Sequence, residues 1–154
     1  MSLENKNILT AIAKVNELLE ELVTDEVLAD VKHSHIGLDA QGLDGLQAYP
    51  VAVTHPAVMF NNRAEDFRSN LRTHNVIITV VFNRQGGALT SLDMTSTIMD
   101  IVNKFDNHIT LDGSASYVEP TTSGTYQIEG ATDRVAIDIV LSINTTHVLN
   151  FLGQ

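Results

Sequence analysis

Residues 76–82 read VIITVVF, a run in which every side chain is β-branched or aromatic. Branched side chains lose rotamer freedom in a helix and pack well on a pleated surface. No polar residue alternates through the run, so both of its faces need cover. It is expected to be a central strand with helices lying against it. A chain built around such a strand is a layered protein, and the rest of the sequence must supply the layers.

Two amphipathic segments are available. Ile8, Ile12, Val15, Leu19 and Leu22 fall at alternating steps of four and three, and Leu9, Leu18 and Val23 widen the stripe, so residues 3–23 read as a helix. Residues 88–109, ALTSLDMTSTIMDIVNKFDNHI, supply a second one. Thr90 with Asp93 forms a capping-box start, Leu92, Ile98, Ile101, Val102 and Phe105 form its apolar stripe, and Gly86-Gly87 turns the chain out of the preceding strand.

The remaining segments read as strands and connections. Val27 to Ile36 alternates loosely, with Val27, Ala29 and Val31 on one face. The glycines Gly42 and Gly45 and the acids Asp39 and Asp44 mark a connection beginning after Gly37. Residues 48–60 are extended, but Pro50 and Pro56 cannot donate to a ladder, which places this strand at an edge or breaks it with a bulge. In NNRAEDFRSNLRTH, Asn62 and Glu65 suit a short capped helix with Phe67 and Leu71 paired, and an ordered loop fits equally. SYVE, PTTSG and TYQIE read as a hairpin with a polar tip. RVAIDIVLSIN, residues 134–144, alternates Val135, Ile137, Ile139, Leu141 and Ile143 against a mixed face of Ala136, Asp138, Val140, Ser142 and Asn144. The order helix, strands, helix, strands gives an α+β fold: a single domain over residues 1–154 with one mostly antiparallel sheet, two main helices packed against it and a C-terminal hairpin.

Composition narrows the function classes. A chain of 154 residues buries roughly 70% of its unfolded surface and forms a core without staples. The absence of cysteine removes disulfides and thiolate metal sites. No apolar run approaches the ~18 residues that span a bilayer, and MSLENKNILT lacks a basic n-region, so synthesis in the cytoplasm with no membrane partner is expected. Nineteen acids against nine Lys and Arg give a net charge of −10, which opposes phosphate binding as a main task. Such a surface suits a channel wall that DNA slides past without specific binding.

Against that acidic background, Arg63, Arg68, Arg72 and Arg84 gather around the VIITVVF run, while Glu17, Glu20 and Glu21 lie off the apolar stripe of the first helix. Opposite charge on two patches of one molecule suits contact between copies of that molecule. Local exposed pairing of the arginines with Glu65 and Asp66, worth ~0–1 kcal/mol, accounts for the same residues. Catalytic motifs do not compete strongly. There is no G-x-S-x-G elbow, P-loop or G-x-G-x-x-G fingerprint. His33 and His35 have the H-x-H spacing that points two imidazoles to one strand face, and His55, His74 or Asp30 would be needed to complete a metal site. The expectation is no enzyme, no cofactor and no resident metal, with a His-ligated metal-dependent enzyme as the alternative.

ILTAIAKVNELLEEL, an irregular extended segment, NVIITVVF, IMDIVNKFD and RVAIDIVLSIN, in that order, resemble the tail terminator proteins of long-tailed bacteriophages. The resemblance is one of element order and hydrophobic pattern, and the segment from Gly37 to His74 is longer than in the smaller members. It implies a virion subunit, assembled in the host cytoplasm, that caps the tail tube protein as a homo-hexameric ring and meets the head-closure protein of the neck. Another neck or tail-completion component is the nearest alternative. Under this resemblance Arg63, Arg68, Arg72 and Arg84 would form one side of the subunit interface, with Glu17, Glu20 and Glu21 as counterparts.

Overall fold

The computed structural model describes residues 8–33, 48–65, 68–84, 89–128 and 131–149. Helix α1 (Ile8–Thr24) is followed by β1 (Asp30–His33), β2 (Val51–Ala64) and β3 (Ser69–Asn83), then α2 (Ser91–Asp106), β4 (Tyr117–Thr122), β5 (Tyr126–Ile128) and β6 (Ala131–Val148). The strands form a six-stranded sheet in the order β1-β2-β3-β6-β4, with β5 also paired to β6. All pairings are antiparallel except that of β1 with β2. The fold is α+β.

The VIITVVF run lies in β3, in the middle of the sheet. Val76, Ile78, Val80 and Phe82 face a core shared with Ile137, Ile139, Leu141 and Ile143 of β6 and with both helices. Ala11, Val15, Leu18, Leu19 and Leu22 fill it from α1, and Met94, Ile98, Ile101 and Phe105 from α2. Both helices therefore cover one face, whereas the sequence suggested helices against each. On the reverse face Val51, Val81, Ala136 and Ile128 form a smaller cluster with Tyr49. Beside it Thr79 Oγ1 and the Tyr126 hydroxyl both donate to Asp138 Oδ1, at 2.8 and 2.7 Å. Burial, then the Asp138 carboxylate, pushes the Tyr126 pKa up to about 12.

Several expectations change. Of residues 61–74, 61–64 and 69–74 are neither helix nor loop but the arms of the β2–β3 pairing, because pairing with β6 extends β3 back to Ser69. Strand β2 is interior only over Val51–Thr54, where short β1 covers it; from His55 to Ala64 β3 is its one partner among the described strands, so Pro56 lies on an edge, and the irregularity between Pro56 and Phe60 is the bulge that the prolines suggested. The segments 117–122 and 126–128 are not two arms of one hairpin. They run in the same direction along β6, and Ser123 bridges the break by hydrogen bonds to the backbone of Asp138. The hairpin partner of both is β6. Leu92 is 81% exposed and leaves the α2 stripe: Thr90 caps the helix, and the core angle is set by Met94, Ile98, Ile101 and Phe105, which puts Leu92 on the far side. Leu9 is likewise exposed at 71%. The connection with Asp39, Gly42, Asp44 and Gly45, together with His35, Asp66, Phe67 and Gly86-Gly87, lies outside the described residues.

An electrostatic clamp ties α1 to the turn after α2. Lys14 Nζ lies 2.8 Å from Asp112 Oδ2 and 3.1 Å from Glu17, and His108 Nδ1 lies 3.0 Å from Asp112 Oδ1. Leu111 and Asp112 have φ of 47° and 55°, a left-handed conformation costing on the order of 1 kcal/mol each. Burial of Leu111 and the clamp on Asp112 offset that strain. The exposed sheet edge is also managed. The amide of Val118 donates to Ile109 O at 2.8 Å, and Pro120 removes another donor from β4.

Two outcomes follow for stability. Phe105→Ala, at a fully buried position, is expected to cost about 3–5 kcal/mol in denaturant unfolding, whereas Leu92→Ala stays within about 0.5 kcal/mol of wild type. The Asp112 carboxyl is held below its ordinary pKa first by the Lys14 hydrogen bond and then by His108. Because its folded pKa is the depressed one, its contribution is present above the unfolded value of about 3.9 and is lost as pH falls below it. Asp112→Asn should therefore lower Tm at pH 6 and narrow its gap to wild type in melts at pH 2–3.

Candidate subunit interface

The strands outrun the helices. At about 3.4 Å per residue the 18 residues of β6 span about 60 Å, whereas the 17 residues of α1 span about 25 Å. Helical cover ends near Val76 and Ile143, beyond which Leu71, Arg72, Thr73 and His74 are half-buried and Asn75 is exposed. Three strands, β2, β3 and β6, thus continue as a tongue past the core.

This tongue is held by polar pairs instead of apolar packing. Thr73 Oγ1 donates to Asn144 Oδ1 at 2.7 Å, Ser142 Oγ to Asn75 Oδ1 at 3.2 Å, and Ser116 and Thr146 hydroxyls meet at 3.2 Å. Asn144 and Thr145 are 4% and 2% exposed, so these groups depend on partners within the sheet. The amide of Leu149 donates to Arg68 O at 2.7 Å, carrying the β3–β6 ladder to the hairpin turn.

Arg63, Arg68 and Arg72 come together at this tip. Arg72 is opposite Asn62 and Arg63 opposite Leu71, so their side chains leave opposite faces of the hairpin. Arg68 lies four residues before Arg72 and in phase with it. Arg72 Nε donates to Asn62 Oδ1 at 3.1 Å, and Arg63 and Arg68 are exposed. Arg84 is not part of this group. It follows β3 at the other end, about 40 Å away along the strand, and its amide donates to Asp133 O at 2.9 Å. The structured cation at that end is Arg134, which sequence reading missed. Its Nε donates to Tyr49 OH at 2.8 Å, its guanidinium lies 5.0 Å from the Tyr49 ring centroid, and it pairs with Asp133.

Glu17, Glu20 and Glu21 are exposed on α1. Two of them have internal partners: Glu17 meets Lys14, and Glu21 Oε2 lies 3.8 Å from Lys104 Nζ. Among the described residues the candidate metal ligands do not converge. His33 Nδ1 is 2.6 Å from Thr54 Oγ1 on the helix-covered face, and register puts His55 on the reverse face and His74 again on the helical one. Asp30 is taken up by the Val31 amide at 2.8 Å and by Lys32 at 3.2 Å. Burial lowers the His55 pKa, with the Asp138 charge opposing it.

Comparison of the chain with protein-family models and with curated proteins finds no match. The polar tongue makes its own test. Thr73→Val removes the donor to buried Asn144 and should cost about 1–3 kcal/mol in urea unfolding, while Arg63→Ala changes stability by less than about 0.5 kcal/mol.

Proposed function

We propose that the chain is a structural subunit of a long-tailed bacteriophage virion, a tail terminator that closes the last ring of the tail tube as a homo-hexamer. The ring presents a surface to the head-closure protein at the tail–neck junction and is assembled in the host cytoplasm. The observation that carries this reading is the tongue: three strands project beyond the helical layer and bring Arg63, Arg68 and Arg72 to their tip in a chain of net charge −10. A sheet extension of this length adds little to the subunit's apolar core, and its cationic end is presented for contact. The element order of the fold agrees with the resemblance that suggested the family.

Charge separation of this kind serves ring assembly. A ring needs two different patches that complement each other on adjacent copies, and ionic patches give register and steering without a large apolar surface that aggregates early. The net acidity suits a lumen through which DNA passes without specific binding.

Replacing Arg68 and Arg72 together by Glu should abolish ring formation and tube capping while leaving far-UV circular dichroism and Tm close to wild type. Undiminished capping by that variant in negative-stain images would remove the reading.

A further inference from the structure

Helix α2 carries apolar groups on a side turned from the core. Leu92 and Met99, seven residues apart and so on one stripe, are 81% and 56% exposed. Beside this stripe a groove of about 390 Å³ opens between α2 and the end of β4, lined by Ile98, Met99, Val102 and Ile137 together with Asn103 and Thr122. Single exposed apolar residues are ordinary, but an apolar stripe bordering an apolar groove forms a continuous surface. The side chains of Asn103 and Thr122 have no hydrogen-bond partner among the described residues, which leaves two polar groups at the groove for the backbone of an incoming segment.

The chain itself contains a segment of matching character. Residues 150–154, outside the described residues, read NFLGQ and put Phe151 and Leu152 side by side. The other segments outside the described residues, 1–7, 34–47, 66–67, 85–88 and 129–130, hold no two adjacent large apolar side chains. Phe151 and Leu152 follow Leu149, whose amide donates to Arg68 O at 2.7 Å, so the chain leaves the sheet at the tip of the tongue. Arg68, Ser69 and Asn70 lie alongside there, well beyond the helical cover that ends near Ile143.

Reach decides which groove this pair can fill. Leu152 is three residues beyond Leu149, at most about 11 Å away in a fully extended chain. The groove lies beside Ile137, twelve residues back from Leu149, which is about 40 Å at the rise of a strand. A subunit therefore cannot place the pair in its own groove, whereas a neighbouring copy can receive it. We infer that Phe151 and Leu152 of one copy dock in the α2–β4 groove of the next, against Ile98, Met99, Val102 and Ile137, with Asn103 and Thr122 hydrogen-bonded to the docked backbone. This names a contact that the ring reading leaves open, and it rests on that reading for the meeting of copies. Donor and groove are two different patches of one molecule, as a head-to-tail contact that closes a ring requires.

Cross-linking reads the contact directly. The sequence contains no cysteine, so introduced thiols report without background. Under the conditions in which wild type forms rings, an equimolar mixture of Asn103→Cys and Asn150→Cys chains, treated with a short bis-maleimide, should give a dimer whose linked peptides join residues 103 and 150. Adding Phe151→Asp to the Asn150→Cys chain should cut that product at least tenfold while leaving far-UV circular dichroism and Tm unchanged, because the core is built from other residues. Met99→Asp in the Asn103→Cys chain should do the same from the groove side. Rings without the 103–150 product, or a product that Phe151→Asp leaves at full yield, overturn the docking and leave the ring reading standing. The same link formed within single chains of an Asn103→Cys, Asn150→Cys double variant overturns the docking as well. A wild-type chain that stays monomeric alone and with tail tubes overturns both.

Discussion

The uninterrupted ladder between β3 and β6 is the constraint on which the rest of the molecule depends. It runs from Ser69 opposite Val148 to Asn83 opposite Arg134 without a bulge. Because strand side chains alternate, one register fixes which residues face the helices along the whole length. A slip by one residue would turn Val76, Ile78, Val80 and Phe82 out of the core at once. The apolar half of the ladder thereby holds the polar half in register, and the tongue inherits its order from a core that it barely touches.

That inheritance explains how one sheet can do two jobs. Where the helices cover it, the ladder is stabilised by burial of branched side chains from both strands. Beyond the helices, Thr73, Asn144, Ser116, Thr146, Asn75 and Ser142 replace apolar contacts by hydrogen bonds across strands. Hydrogen bonds add little net stability but are costly to leave unmade, so the tongue is specified in geometry more than in energy. Such a surface holds three arginines at a fixed position, with Arg63 and Arg68 exposed and Arg72 half-buried against Asn62. The edge strand β4, with Pro120 and the Val118 amide already used, resists further strand addition on that side of the sheet.

The core was legible because its signals are local. VIITVVF, the Thr90–Asp93 cap and the alternation of Val135 to Ile143 each state their structure within a few residues, and each lies where that reading put it. The tongue was not legible. Asn61, Asn62, Arg63, Asn70 and Arg72 have weak strand preference, and they are extended because β6 continues far enough to pair with β3 there and β3 with β2, which is a tertiary effect. Leu92 misled because apolar character says nothing of which helix face meets the sheet; Met94 to Phe105 decide that angle. The candidate site follows the same division. Arg63, Arg68 and Arg72 are close in sequence and in space, whereas Arg84 is close only to the same strand's other end.

The central claim is that a preformed, rigid tongue, ordered by the β3–β6 ladder, is what copies of the chain use to meet. Amide hydrogen exchange, followed in the free subunit and again after assembly, tests it most directly. The account expects slow exchange from Leu71 to Asn75 in the free subunit, close to that of Val76–Phe82, with added protection on assembly in the β2–β3 arms. Rapid exchange of Leu71–Asn75 in the free subunit, with no change there on assembly, would contradict it.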